Sequence, residues 1–107
     1  MATEISIEVA KGLQFKGLVA EAERMYRDLL VTQPESVGAL EGLGVLLYQQ
    51  GRAEEAAGLF ARGVAIDPQS GRFHANLGEA LRTIRRFDQA LQHLRTAVAL
   101  EIGRAHV

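Results

Sequence analysis

The stretch VGALEGLGVLLYQQGRAEEAAGLFARGVAIDPQS, residues 37–70, decides how the whole chain reads. Ser36 stands just before it as an N-cap, and Leu40, Leu43, Leu46 and Leu47 then recur at helical spacing until Gly51 supplies a stop. A second helix starts near Arg52 and carries the apolar stripe Ala56, Leu59, Phe60, Gly63 and Val64. It ends ahead of Pro68, because a residue before proline is pushed out of the helical region. The stretch is therefore predicted to be a helical hairpin.

Working outward, the same pattern recurs with a period of 34 residues. Pro34 and Pro68 are one period apart, as are Ala22, Ala56 and Ala90; Tyr26, Phe60 and Leu94; and Leu13, Leu47 and Leu81. Val9, Leu43 and Leu77 form another column, followed by the small residues Ala10, Gly44 and Gly78. A repeat of this length implies a stack of supersecondary units. The small columns let helix backbones approach, while Tyr26, Phe60 and Leu94 are expected to fill the gap between adjacent units. One hairpin cannot bury its apolar face alone, so stability accumulates from units and their interfaces.

Composition agrees with helices in close contact. Apolar residues make up 48% of the 107 and aromatics only 6%, without Trp, so the interior must be aliphatic and alanine-rich. With 12 Lys+Arg against 13 Asp+Glu and no basic run, the chain lacks the electrostatic footprint of a nucleic-acid binder. The absence of Cys excludes disulfides and thiolate metal sites. Glu4 and Glu8 interrupt the apolar pattern at the N-terminus, which does not read as a signal peptide. No segment reaches the ~20 apolar residues of a membrane-spanning helix. A cytoplasmic protein without membrane contact is expected.

In order, Leu40, Leu43-Gly44, Leu47, Ala56, Phe60 and Pro68 resemble the tetratricopeptide repeat signature of an aromatic, Leu-Gly and Tyr in the first helix, then Ala, Phe and Pro. The first unit matches with Ser6, Val9-Ala10, Leu13, Ala22, Tyr26 and Pro34; the third with His74, Leu77-Gly78, Leu81, Ala90, Leu94 and Ala97, departing at Ile102 where proline should stand. The resemblance implies an all-α, right-handed helical-hairpin solenoid of three repeats and six helices. Its units would be residues 3–36, 37–70 and a truncated 71–101.

For function, the resemblance implies a protein–protein interaction scaffold that binds a partner peptide or helix in a concave groove lined by first helices. By that analogy the groove positions are Glu4, Ile7, Glu8 and Lys11 in the first unit and Glu41, Val45 and Tyr48 in the second. In the third they are Arg72, Asn76, Glu79 and Arg82. The carboxylate clamp of chaperone-binding members is not reproduced, since Ile7, Lys11, Gly42, Arg72 and Asn76 stand at its places. The segment from Phe73 to Leu91 is similar to repeats that precede O-linked N-acetylglucosamine transferase domains, where Asn before Leu-Gly forms a ladder that holds the substrate's backbone. Asn76 is one such rung, with Gly42 and Glu8 at the other two places. An alternative function is thus substrate recruitment within a larger enzyme, most naturally a glycosyltransferase.

No catalytic, cofactor or metal site is expected in the chain itself. His74 and His93 lie on different helices without supporting carboxylates, and His74 occupies the aromatic place, where packing is its role. Glu54-Glu55 opens a helix, where negative charge suits the dipole. Gly42, Gly44, Gly51 and Gly58 read as packing and capping glycines, and Arg85-Arg86, replacing the inter-helix Gly, as a solvated corner. The last residues, 102–107, match residue for residue the translation of a common sequencing adapter, and are expected to be a non-native tail on a fragment of a longer frame. Without a polar capping helix, the stripe Leu91, Leu94, Ala97 and Val98 is expected to be partly uncovered, favouring self-association through the third repeat.

Overall fold

In this computed structural model the described residues are 2–105, with side chains described from 6 to 103; His106 and Val107 lie outside them. Six helices form three successive hairpins: α1 (Ala2–Phe15) with α2 (Val19–Thr32), α3 (Val37–Gln49) with α4 (Ala53–Ile66), and α5 (Gly71–Thr83) with α6 (Phe87–Ala105). Each helix packs on the next. First helices also touch along the stack, α1 on α3 and α3 on α5, whereas the backbones of α2, α4 and α6 stay apart. That asymmetry makes a helical-hairpin solenoid with first helices on its inner side.

The turns inside the hairpins repeat as faithfully as the core. Gly17, Gly51 and Arg85, one period apart, have φ of 82°, 81° and 68°. The next residue in each case, Leu18, Arg52 and Arg86, donates its N–H 2.9 Å back to the carbonyl of Leu13, Leu47 and Leu81, which closes the helix end in the same way three times. A left-handed backbone suits glycine and costs a residue with a Cβ about 1–2 kcal/mol. Arg85 bears that cost, and its guanidinium lies 5.8 Å from the centre of the Phe87 ring, so it is more than a solvated corner. Between hairpins, Ser36 and Ser70 cap α3 and α5, their hydroxyls accepting the N–H of Ala39 and Phe73 at 3.2 and 3.1 Å.

Packing explains which glycines matter. A Cβ on Gly44 would fall 2.5 Å from the Phe60 ring, and one on Gly78 2.6 Å from Leu94. Phe60 and Leu94 therefore seat themselves across their own hairpins, because a tight turn already brings the two backbones together and only a missing side chain leaves room, whereas Tyr26 of the same column reaches the next hairpin, as expected. Between hairpins the same device recurs with other partners: Tyr26 lies over Gly42, and Phe73 over Gly63, at 2.5 and 2.4 Å from the missing Cβ. Gly58 departs from the packing expectation. It is exposed, and a Cβ there would meet nothing within 4 Å.

At the C-terminal end, α6 has 19 residues where α2 and α4 have 14. It continues through Ile102 because no proline interrupts it there. Of the stripe expected to be uncovered, Leu91 and Val98 are exposed, but Ala97 is buried. The backbone of α5 accounts for this, Gly71 lying against Ala97 with its Cβ position 3.7 Å from the Ala97 carbonyl oxygen.

Candidate protein-binding groove

The inner face is built on Tyr26. Its ring is fully buried beneath Gly42, and its hydroxyl donates to Gln14 Oε1 at 3.3 Å. Burial pushes the phenol's pKa up, and the carboxylates of Glu41 and then Glu8 push it further, so the hydroxyl remains a donor. Over this floor lies a hollow of about 420 Å³ lined by Lys11, Gln14, Tyr26, Glu41, Gly42, Val45, Arg72 and Asn76. Beside it a more apolar hollow of about 280 Å³ is lined by Val45, Tyr48, Gln49, Phe60, Asn76 and Glu79. The two share Val45 and Asn76, so they run into one another along the groove.

Charge on this face is partly spent on internal pairs. Arg72 Nη1 donates to both oxygens of Glu41 at 3.3 and 3.2 Å, tying α5 to α3. Arg82 donates to Glu79 at 2.8 Å, and Tyr48 and Thr83 share a hydroxyl hydrogen bond of 3.0 Å. Both ion pairs are exposed and contribute little stability, so a ligand can exchange them at small cost. Lys11 has no ion pair among the described residues, which leaves its ammonium available at the entrance.

The residues expected in the groove are distributed unevenly. Lys11, Glu41, Val45, Tyr48, Arg72, Asn76 and Glu79 line the hollows, and Arg82 joins them through Glu79. Glu8 is exposed and close enough to act on Tyr26. Ile7 does not face the groove freely: its Cδ1 sits 3.0 Å from the place of a Gly38 Cβ, packed between hairpins. The side chain of Glu4 lies outside the described residues. Gln14 and Gln49 were missed, although the period signalled both: Gln14 is one and two periods from Tyr48 and Arg82, and Gln49 one period from Thr83.

Two further clusters lie away from the groove. On α2, on α4 and at the residue just before α4, Glu23, Arg27, Glu55 and Arg52 close a ring of four ion pairs at 2.9, 3.2, 2.9 and 3.0 Å. Burial pushes the Glu23 carboxyl up, but hydrogen bonds from Arg27 and Arg52 outweigh it and hold the group below its ordinary value. In the third hairpin His74 and His93, separate in the sequence reading, meet. His74 Nε2 lies 2.9 Å from the Pro68 carbonyl and must donate to it, which leaves Nδ1 to accept from His93 Nδ1 at 3.0 Å. The ring centres are 5.3 Å apart, little more than that nitrogen separation plus a ring radius on each side, so the rings meet edge to edge. Among the described residues no group of three or more His, Cys, Asp and Glu side chains is gathered as for a metal ion.

Two sequence models of the tetratricopeptide repeat match this chain, one over residues 10–71 and the other over 47–101. The chain belongs to the tetratricopeptide repeat family. No curated protein matches it significantly. Among solved structures, this tetratricopeptide repeat chain is similar to MamA, with a TM-score of 0.90 at 16% identity over 98% of this chain and 61% of that one. Another MamA structure gives 0.87 at 28% identity over 92% and 54%. The Yersinia enterocolitica type III secretion chaperone SycD, solved with a peptide of the translocator YopD, gives 0.85 at 22% over 91% and 74%. The chain thus spans about six-tenths of the MamA chains it matches.

Proposed function

We propose that this tetratricopeptide repeat chain is a scaffold that holds a segment of a partner protein, a peptide or a helix, in the groove of α1, α3 and α5. The observation that carries this is the pair of confluent hollows, one the more apolar and floored by Phe60, the other bordered by the charged groups of Lys11, Glu41 and Arg72, with the Asn76 amide at their junction. An apolar side chain fits the first hollow. The second offers a cation, a carboxylate and an amide to the adjoining polar groups, which is the mix of aromatic anchor and polar rim that concentrates binding energy. The peptide complex of SycD, a chain of the same fold, supports the mode of binding.

The test is a triple variant, Tyr48→Ala, Arg72→Ala and Asn76→Ala, compared with the parent chain in capture from a displayed peptide library. All three side chains are at least partly exposed, so helicity should survive. Capture is expected to fall by more than tenfold; retention of the same peptides at the same affinity sinks the reading.

A second reading gives the groove to a larger enzyme that recruits its substrate through these repeats. Asn76, placed between the two hollows, favours it, and a nucleotide-sugar-binding domain encoded beside these repeats is its test. Only that rung is available, because the Tyr26 ring occupies the space a side chain at Gly42 would need. On either reading we place the chain in the cytoplasm, and no described helix is long and apolar enough to cross a membrane.

A further inference from the structure

Two bridges cross the groove from α5 to α3. Arg72 reaches Glu41, and further along the same helices the Tyr48 hydroxyl meets that of Thr83. Thr83 donates its own hydrogen to the Glu79 carbonyl at 2.9 Å, so Tyr48 is the donor between the two hydroxyls and its ring is held toward α5. At 1.5 Å per residue, the interval from position 41 to position 48 of α3 is about 10 Å. The two hollows follow it, one lined on α3 by Glu41, Gly42 and Val45, the other by Val45, Tyr48 and Gln49. Their centres are displaced by about four α3 residues, roughly 6 Å along the helix. A segment that fills both must therefore run along α3. A helix lying that way, about 10–12 Å across, would ride on both bridges above the Phe60 floor. An extended chain spans the interval with about three residues, and its alternate side chains, roughly 6.6 Å apart, match the two hollows.

Charge selects the second side chain. The charged hollow is lined by two cations and one carboxylate. Glu41 takes Arg72 on both of its oxygens, while Lys11 has no ion pair among the described residues. Glu8, three residues earlier on α1, is exposed and outside that lining. The hollow thus keeps one uncompensated positive charge, which an acidic side chain completes and a basic one would double. Resting on the groove reading above, we propose that the partner segment is extended, lies lengthwise between α3 and α5, and carries a bulky apolar residue and an acidic residue two positions apart. The apolar side chain enters the hollow over Phe60, and the acidic one reaches the Lys11 ammonium.

The experiment is fluorescence anisotropy of dye-labelled synthetic peptides titrated with the 107-residue chain. The probes are short glycine–serine peptides, amidated at the C-terminus, that hold Phe-Ser-Glu or the reverse order Glu-Ser-Phe, so that both chain directions are offered. One order is expected to bind with a Kd between about 10 μM and about 1 mM, as suits so small a contact. Replacing its Glu by Gln, or moving the Glu next to the Phe, should weaken binding at least tenfold. Lys11→Met, at an exposed position, should erase the preference for Glu over Gln while its circular dichroism matches the parent. Binding by neither order, equal binding of the Glu and Gln peptides, or a preference that persists in Lys11→Met overturns the acidic contact. Indifference to the position of the Glu, or tighter binding by a helical peptide with Phe and Glu one turn apart, overturns the extended segment. Equal binding by a peptide that ends Phe-Ser-Gly in a free carboxylate gives the charge to a chain terminus and overturns the internal acidic residue. The groove itself fails separately: a chain that fails these tests but loses library capture in the triple variant keeps the groove and loses this segment.

Discussion

The middle and third hairpins share a backbone and differ in what fills it. At the aromatic place and its partner position on the second helix, the middle hairpin has Leu40 and Leu59, both buried; the third has His74 and His93. The turn residue is Gly51 in one and Arg85 in the other, at nearly the same φ. Phe60 on Gly44 becomes Leu94 on Gly78. The lesson is that the period constrains space more tightly than chemistry. A polar pair can replace a leucine pair provided each buried nitrogen finds a partner, and here the Pro68 carbonyl completes the set.

The comparison breaks most sharply at the core. Leu40→Ala is expected to cost about 3 kcal/mol in urea unfolding, for lost burial and the cavity left behind. The matching His74→Ala should cost about 2 kcal/mol, chiefly because the Pro68 carbonyl and His93 lose their partner. A result in which the histidine costs more than the leucine would mean that the pair organises the hairpin. Two glycines of the middle hairpin sharpen the question of space. Gly44→Ala drives a methyl into the Phe60 ring and should lose about 2 kcal/mol, whereas Gly58→Ala, facing open solvent, should gain up to about 1 kcal/mol.

Next come the turns. Arg85→Gly should stabilise the third hairpin by about 0.5–1 kcal/mol and Gly51→Ala should destabilise the middle one by about 1 kcal/mol, read by thermal unfolding. Opposite signs from the same 34-residue column would confirm that backbone conformation decides both.

The smallest expected effect is on pH dependence. Burial, and then the charge on His74, hold the His93 imidazole below its ordinary value. The unfolded chain therefore binds the proton more readily, so the pair's contribution is complete above the ordinary histidine value of about 6.5 and declines as pH falls through it toward the folded value. The melting temperature should fall more steeply on acidification in the parent than in a His74→Leu, His93→Leu double variant, which restores the leucine pair of the middle hairpin. Parallel curves would show that burial does not hold the His93 imidazole down.

How much was legible follows from what a period records. Columns of equal residues report positions that see the same surroundings in every unit, which is why the core leucines, Ser36, Gly51 and Pro68 read correctly. Gln14 and Gln49 were equally accessible by that logic and were passed over because polar residues carry no helical stripe. Ile7 was assigned to the groove by register alone, which does not reveal that Gly38 opens a seat for it. Of the ring of Glu23, Arg27, Arg52 and Glu55, the pairs Glu23–Arg27 and Arg52–Glu55 had the spacing of helical neighbours, but the two pairs that close it, and the meeting of His74 with His93, had no signal in spacing, since those partners lie on neighbouring helices whose relative rotation no single helix encodes.

By itself, the sequence determined the hairpin, the number of hairpins and the columns that must be small, because helical periodicity and the steric limits of glycine and proline are local properties of the chain. The tertiary structure alone decided which small residue receives which ring and where two hollows merge around Val45 and Asn76. Those depend on the offset and rotation between stacked hairpins, a sum of many weak contacts that no one unit contains.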